Sequence, residues 1–218
     1  MKRALIVWGG WDGHQPRQVA EIFQRVLREE GFDVESHNSL QPCHDEQLLK
    51  SIDLFVPVWT MAGPGDDLGN QIFKAVAEGG TGVAGCHGGM CDSFRNNTEW
   101  QFMTGGQWVS HPGNDGTTYR VKILKGSHPI VQGVADFDVC SEQYYMHTDP
   151  ANRVLATTEF PVAAGPHVPN GKFDMPVLWT RQHGRGRVFY NSLGHQANIV
   201  ESEPCLTLMR RGFNWAAR

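Results

Sequence analysis

Gly79-Gly80-Thr81-Gly82-Val83-Ala84-Gly85-Cys86-His87-Gly88-Gly89 is the stretch on which the reading turns. A glycine pair closes one helix, an apolar run from Thr81 to Cys86 makes a buried strand, and the chain then turns among glycines. A strand followed by G-x-Nu-x-G and a helix is a nucleophile elbow, whose small flanking residues permit a strained turn that lifts one side chain into a pocket. The register selects that side chain. With His87 at the elbow, glycines fall at 85 and 89. With Cys86 there, the position two before is Ala84 and the pattern fails on that side. His87 is therefore expected to face the pocket. Cys86 is expected to pack as a small apolar residue, with nothing nearby to depress its pKa. The backbone N–H groups after His87 would open a helix and could stabilise an oxyanion. The competing reading of the glycines is a tight turn with close helix–sheet packing and no chemistry.

On the N-terminal side, Arg3 to Trp8 is an apolar, β-branched run, as in a buried parallel strand. Pro16 stands at a first helical position, and Val19, Ile22, Phe23, Val26 and Leu27 follow at helical spacing up to Gly31. Phe32 to Ser36 and Asp53 to Trp59 read as strands. Asp45 to Lys50 and the apolar positions Leu68, Ile72, Phe73 and Val76 read as helices. The β-α-β-α-β-α-β order predicts a parallel sheet with helices on both faces. Toward the C-terminus, Thr117 to Leu124, Phe137 to Cys140, Val154 to Thr158, Pro176 to Thr180 and Arg187 to Asn191 read as strands. Leu206, Met209 and Phe213 mark a closing helix. No linker or repeat interrupts residues 1–218, which are expected to form one domain.

Composition narrows the partners. Charged residues are 19% of the chain, the net charge is −4 and no basic block occurs, so nucleic acid and an anionic membrane are excluded as partners. The first apolar run is too short for a signal peptide or membrane span. Five cysteines, an odd number at irregular spacing, indicate reduced thiols and a cytoplasmic location. Edge strands in the second half need covering, so a homodimer is expected.

Ligands of an open parallel sheet bind beyond the carboxyl ends of its strands. Those ends carry Trp11 and His14, His87, and His195. His111 and the run Glu142, Tyr144, Tyr145 and His147 lie between them. A loop histidine taken alone is most often a surface or structural residue, as His37, His44, His128, His167 and His183 are read. Glu142 reads either as a carboxylate that fixes a histidine tautomer or as a solvated strand end. Aromatic faces at strand ends suit a sugar ring or a hydrophobic lid.

Together these positions resemble the ThuA-like (trehalose utilisation) family over essentially the whole chain. The likeness rests on Val-Trp-Gly-Gly-Trp-Asp-Gly-His14, on the elbow segment, on Ser-His111-Pro-Gly, and on Ser-Glu142-Gln-Tyr-Tyr. Its most specific part is the run from Pro176 to Ser-Leu-Gly-His195. The resemblance implies an α/β fold, a flavodoxin-like, class I glutamine amidotransferase-like three-layer sandwich with a mainly parallel sheet and extra strands in the C-terminal half. Glutamine amidotransferases of this fold carry Cys at the elbow and His after a late strand. Here His87 takes the elbow, which argues against a glutaminase. The family's association is with sugar catabolism, including disaccharides oxidised to 3-keto forms.

The expected function is thus a sugar-catabolic lyase or hydrolase acting on a carbohydrate such as a 3-keto glycoside. His87, His195 and Glu142 are its catalytic candidates, and Trp11, His14, His111, Tyr144 and Tyr145 its substrate contacts. A metal-assisted version places Zn²⁺ or Mn²⁺ on His14, His87 and His147. The alternative is a non-catalytic sugar-binding or regulatory module. A hydrolase built on Cys86 is disfavoured by the register.

Overall fold

The computed structural model describes residues 1–126 and 128–218. β1 (Arg3–Gly10) leads through α1 (Pro16–Glu29) to β2 (Asp33–His37). Next come α2 (Glu46–Ser51), β3 (Leu54–Thr60), α3 (Gln71–Ala77) and β4 (Gly82–Cys86). The elbow opens α4 (Gly88–Cys91), a single turn, followed by α5 (Thr98–Thr104) and β5 (Gly106–Ser110). The second half holds β6 (Thr117–Ile123), β7 (Phe137–Ser141), β8 (Tyr145–Thr148), β9 (Arg153–Phe160), β10 (Phe173–His183) and β11 (Gly186–Asn191). It closes on α6 (Ala197–Glu201) and α7 (Glu203–Ala216).

Local chemistry sets these bounds. Pro16 starts α1 with its φ already near the helical value, and Val19, Ile22, Phe23, Val26 and Leu27 form the buried stripe. Gly31, at φ 82°, supplies the left-handed residue that ends the helix. Asp45 caps α2 by accepting hydrogen bonds from the N–H groups of Gln47 and Leu48.

The strands run β2-β1-β3-β4-β11-β10-β9-β6-β7 in one nine-stranded sheet. From β2 to β11 neighbours are parallel. From β11 to β7 they are antiparallel. Alternation along β1 divides the core. Ala4 and Ile6 pack with Phe23 of α1 and Phe213 of α7 on one face. Leu5 and Val7 pack with Ile72 of α3 and Trp100 of α5 on the other. Both faces are covered, so the central strands are apolar throughout. Each fully buried Leu, Ile or Phe contributes about 1.5–3 kcal/mol. Among the described residues, no helix is long and apolar enough to cross a membrane.

Two strands escape the sequence reading. β5 and β8 form a separate antiparallel ribbon with Gln107 opposite His147 and Ser110 opposite Tyr145. Along this ribbon Tyr144 and Met146 are buried, Tyr145 is half-buried and His147 is exposed. The parallel strands β1, β3, β4 and β11 all deliver their carboxyl ends to one side of the sheet, which gathers the residues that follow them.

Candidate active site

His87 has φ 47° and ψ −141°, a conformation that non-glycine residues rarely adopt. Two hydrogen bonds fix it. Its N–H donates to the Asn191 carbonyl at 2.7 Å, and the Tyr190 hydroxyl donates to its carbonyl at 3.2 Å. Glycine is required beside it. A Cβ on Gly88 would meet His14 Cε1 at 2.5 Å and the Tyr144 hydroxyl at 3.0 Å. The elbow register read from the sequence is the observed one. Cys86 is buried in the core, and burial pushes its thiol well above the ordinary range. It has no thiolate character for nucleophilic chemistry.

Four elements converge on Glu142, a buried carboxylate in the connection between β7 and β8. Its Oε2 lies 3.2 Å from His195 Nδ1, 3.5 Å from His87 Nε2 and 4.0 Å from His14 Nε2. Its other oxygen, Oε1, lies 3.7 Å from His111 Nε2. The ligand atoms of His14, His87, Glu142 and His195 all fall within 4.8 Å of one another. These contacts are near without being satisfied. His87 Nε2, His195 Nδ1 and Glu142 Oε2 are buried and none has a hydrogen-bond partner. Buried polar atoms in folded proteins are nearly always paired, so three unpartnered atoms facing one spot form a centre suited to a shared ligand.

Two of the imidazoles, His14 and His87, are set up to be neutral. Burial, then the charges of His195 and His111, hold His14 at about 4, despite the opposing pull of Glu142. Burial likewise drives His87 well below its ordinary value, with His14, His195 and His111 adding to the shift. Burial pushes the Glu142 carboxyl up, but the His195 imidazole and the charges of His111 and His14 outweigh it. Glu142 is thereby kept below the usual carboxylate range. Neutral imidazoles around an ionised carboxylate are the protonation states a cation requires. Three nitrogens and one oxygen form a donor set suited to Zn²⁺, and Mn²⁺ accepts the same groups with an added preference for oxygen.

Around this centre the outer groups are aromatic and polar. Trp11 is 46% exposed and meets His14 edge-on at 4.8 Å. Gly13 leaves room for that ring, since a Cβ there would come within 2.2 Å of it. Tyr144 stacks on His87 at 3.8 Å, and Trp108 lies 5.4 Å from the half-buried His111 ring. Arg95 stacks over Trp108 at 4.7 Å while pairing with the buried Asp92. Cavities of about 410 and 640 Å³ lie elsewhere, the first around Lys50 and Arg218 and the second around Lys125 and Arg153. The void beside His14, about 10 Å³ against Cys86 and Val19, is no larger than a single water needs. The centre meets solvent on the side of the exposed Trp11 and the half-buried His111.

His87, His195, Glu142, His14, His111, Tyr144 and Trp11 thus gather as read from the sequence. Two readings are corrected. His147, expected from the sequence to be a ligand, is exposed to solvent on the far side of the ribbon and stands outside the converging group. Tyr145, taken as a substrate contact, packs against Phe160, Phe173 and His167 instead. Both errors have one cause: alternation along β8 puts Tyr145 and His147 on the face opposite Tyr144 and Met146. Sequence reasoning missed Thr60, whose hydroxyl lies 3.0 Å from His14 Nδ1, and Asp115, 4.0 Å from His195 Nε2. The signal for Thr60 was a polar residue closing the apolar strand Leu54–Trp59.

The profile of a family described as trehalose utilisation, ThuA, matches residues 3–216. No match is found among curated protein sequences. A ThuA-like protein from Bacteroides uniformis aligns with a TM-score of 0.76 at 16% identity, covering 99% of this chain and 91% of that one. A ThuA-like protein from Parabacteroides merdae gives 0.71 at 19% identity, with 99% and 89% covered. A cytoplasmic protein of Salmonella typhimurium LT2 gives 0.68 at 14% identity, with both chains covered in full, 100% and 100%. At such identities the likeness is one of fold, here the class I glutamine amidotransferase-like α/β sandwich.

Proposed function

Because this chain belongs to the ThuA, or trehalose-utilisation, family, we propose that it is a metal-dependent enzyme of carbohydrate catabolism whose substrate is an oxidised, 3-keto glycoside. The observation that carries the reading is the set of buried, unpartnered atoms His87 Nε2, His195 Nδ1 and Glu142 Oε2 facing one point. His14, His87, His195 and Glu142 would hold Zn²⁺ or Mn²⁺. Bound there, a divalent cation supplies a Lewis acid for a keto oxygen or a water of lowered pKa.

The chain's own groups divide the remaining work. Trp11 offers an exposed face for a pyranose ring. His111 stands outside the four-group centre, partly exposed, with Glu142 Oε1 beside it. In this reading it takes the proton from C2, the carbon acidified by the neighbouring keto group. The electron pair of that C–H bond moves into an enolate, and departure of the C1 substituent then breaks the glycosidic bond. The proton held by His111 goes to the departing oxygen. Elbow geometry, Tyr144 and Gly88 hold His87 in its place at the centre. A cytoplasmic location and a homodimer covering the β7 edge belong to the same proposal.

The test is turnover of 3-keto disaccharides by the chelated protein, with and without added Zn²⁺ or Mn²⁺, followed by mass spectrometry. Conversion that requires metal and disappears in His87→Ala is expected. Unchanged turnover in His87→Ala would sink the reading. Saturable binding of the sugar without conversion under every metal condition would establish the binding-module alternative.

A further inference from the structure

Each of the three imidazoles facing Glu142 Oε2 has a second ring nitrogen, and each of those nitrogens is addressed by an oxygen. Thr60 Oγ1 lies 3.0 Å from His14 Nδ1. The Tyr144 hydroxyl lies 2.9 Å from His87 Nδ1. Asp115 Oδ2 lies 4.0 Å from His195 Nε2. These oxygens come from three separate parts of the chain: the end of β3, the run before β8, and the loop after β5. No local sequence pattern links them, and only the fold brings one to each ring.

We infer that Thr60, Tyr144 and Asp115 are positioning residues that set the tautomers of a cation site, an inference that rests on the metal reading above. A neutral imidazole has one N–H and one lone pair, and the oxygen that accepts the N–H decides which nitrogen keeps the lone pair. Thr60 and Tyr144 hold the protons of His14 and His87 on Nδ1, leaving both Nε2 lone pairs directed at the centre. Asp115 holds the proton of His195 on Nε2, leaving Nδ1 free. The assignment is opposite for His195 because that ring presents its other edge to Glu142. It accounts for all three ring orientations with a single rule.

The three arms differ in state. The Thr60 and Tyr144 contacts are within hydrogen-bond distance, whereas Asp115 stands about 1 Å too far, half-exposed, in a loop where Gly113, Asn114 and Gly116 all have positive φ. His111 belongs to the same loop. Metal binding is expected to draw Asp115 onto His195 and to order this segment, so that the centre and the mouth of the site close together.

The experiment is competitive Zn²⁺ titration of metal-stripped protein against a chromophoric chelator, with the Co²⁺ absorption spectrum reporting ligand geometry. Wild type is compared with Thr60→Val, Tyr144→Phe and Asp115→Asn, each checked for folding by circular dichroism, and with His147→Ala as control. Outer-shell losses typically cost 10–100-fold in metal affinity. That loss is expected for Thr60→Val and Tyr144→Phe, a smaller one for Asp115→Asn, and none for His147→Ala. Hydrogen exchange at residues 113–116 should slow on Zn²⁺ addition in wild type and not in Asp115→Asn. A wild type that binds no metal would overturn the metal reading itself. Tight wild-type binding with all three variants within twofold would overturn this inference alone.

Discussion

His87 and His167 are both buried, and each keeps an Nε2 atom without a hydrogen-bond partner. Their surroundings differ completely. His87 meets His14, His195, Tyr144 and Glu142, whose polar atoms face a common point. His167 meets the edges of Tyr145 and Phe160. The consecutive residues Tyr144 and Tyr145 divide the two regions, one ring turned to each. A single unpaired nitrogen costs on the order of 1–3 kcal/mol and can simply be tolerated in a stable core. Several unpaired polar atoms aimed at one spot multiply that cost, and a ligand that meets all of them at once removes it. Convergence, not burial or lack of a partner, is what separates a site from a packed histidine.

The largest expected effect tests that distinction directly. His87→Ala should abolish stoichiometric metal retention and reduce keto-glycoside turnover by roughly 10²–10⁴-fold, the range for losing a central acid, base or ligand group. His167→Phe should leave both within twofold. Metal analysis by mass spectrometry and initial rates decide the matter. Loss of metal in His167→Phe would collapse the comparison.

Acid gives the next effect. The folded pKa of His14 is about 4 against an unfolded value of 6.5, so the unfolded chain binds the proton more readily. The His14 contribution to the stability of the metal-free protein is therefore full above pH 6.5, falls as the pH drops through this window, and is lost below about 4. The linkage amounts to about 3 kcal/mol for His14 alone, and His87 adds to it in the same direction. Urea unfolding from pH 7.5 to 4 should show the slope, and His14→Gln should flatten it. A slope unchanged in His14→Gln would mean that His14 takes up its proton equally in the folded and unfolded chains, against the depressed value.

Crowding at the elbow comes third. Gly88→Ala would push a methyl group into His14 and the Tyr144 hydroxyl and should destabilise by about 1–3 kcal/mol while weakening metal binding. Gly165→Ala places its Cβ 2.8 Å from His167 Nδ1. It should cost stability with no change in metal affinity. Denaturant midpoints and Zn²⁺ titration separate the two outcomes.

Much of this was legible in the sequence because the relevant signals are local. The elbow's glycine register picked His87 over Cys86. The apolar runs gave β1, β3 and β4, and topology then required their carboxyl ends to share one side. What stayed hidden depends on pairing. Gly106–Ser110 and Tyr145–Thr148 are short and pair only with each other, without a turn signal between them. With β8 unseen, the facing of Tyr144, Tyr145 and His147 could not be assigned, and two of its residues were placed on the wrong side. Thr60 and Asp115 lie against histidines distant in sequence, and only the polar close of an apolar run marks Thr60, while nothing local marks Asp115.

The smallest effects belong to those misplaced residues, and they sharpen the comparison by doing almost nothing. Tyr145→Phe keeps the ring that packs against Phe160 and Phe173 at 5.5 and 5.7 Å and removes only a hydroxyl. His147→Ala trims an exposed strand position. Each should change stability by no more than about 0.5 kcal/mol, as surface-type substitutions do. Zn²⁺ affinity should stay within twofold of wild type in both. Tyr144→Phe removes the same single atom one residue earlier, and there the atom lies 2.9 Å from His87 Nδ1. Two adjacent tyrosines, two identical deletions and two different outcomes would isolate the one variable at issue: whether the lost oxygen faced the converging groups. Equal effects on metal binding would show that ring packing, not the hydroxyl on His87, organises the centre.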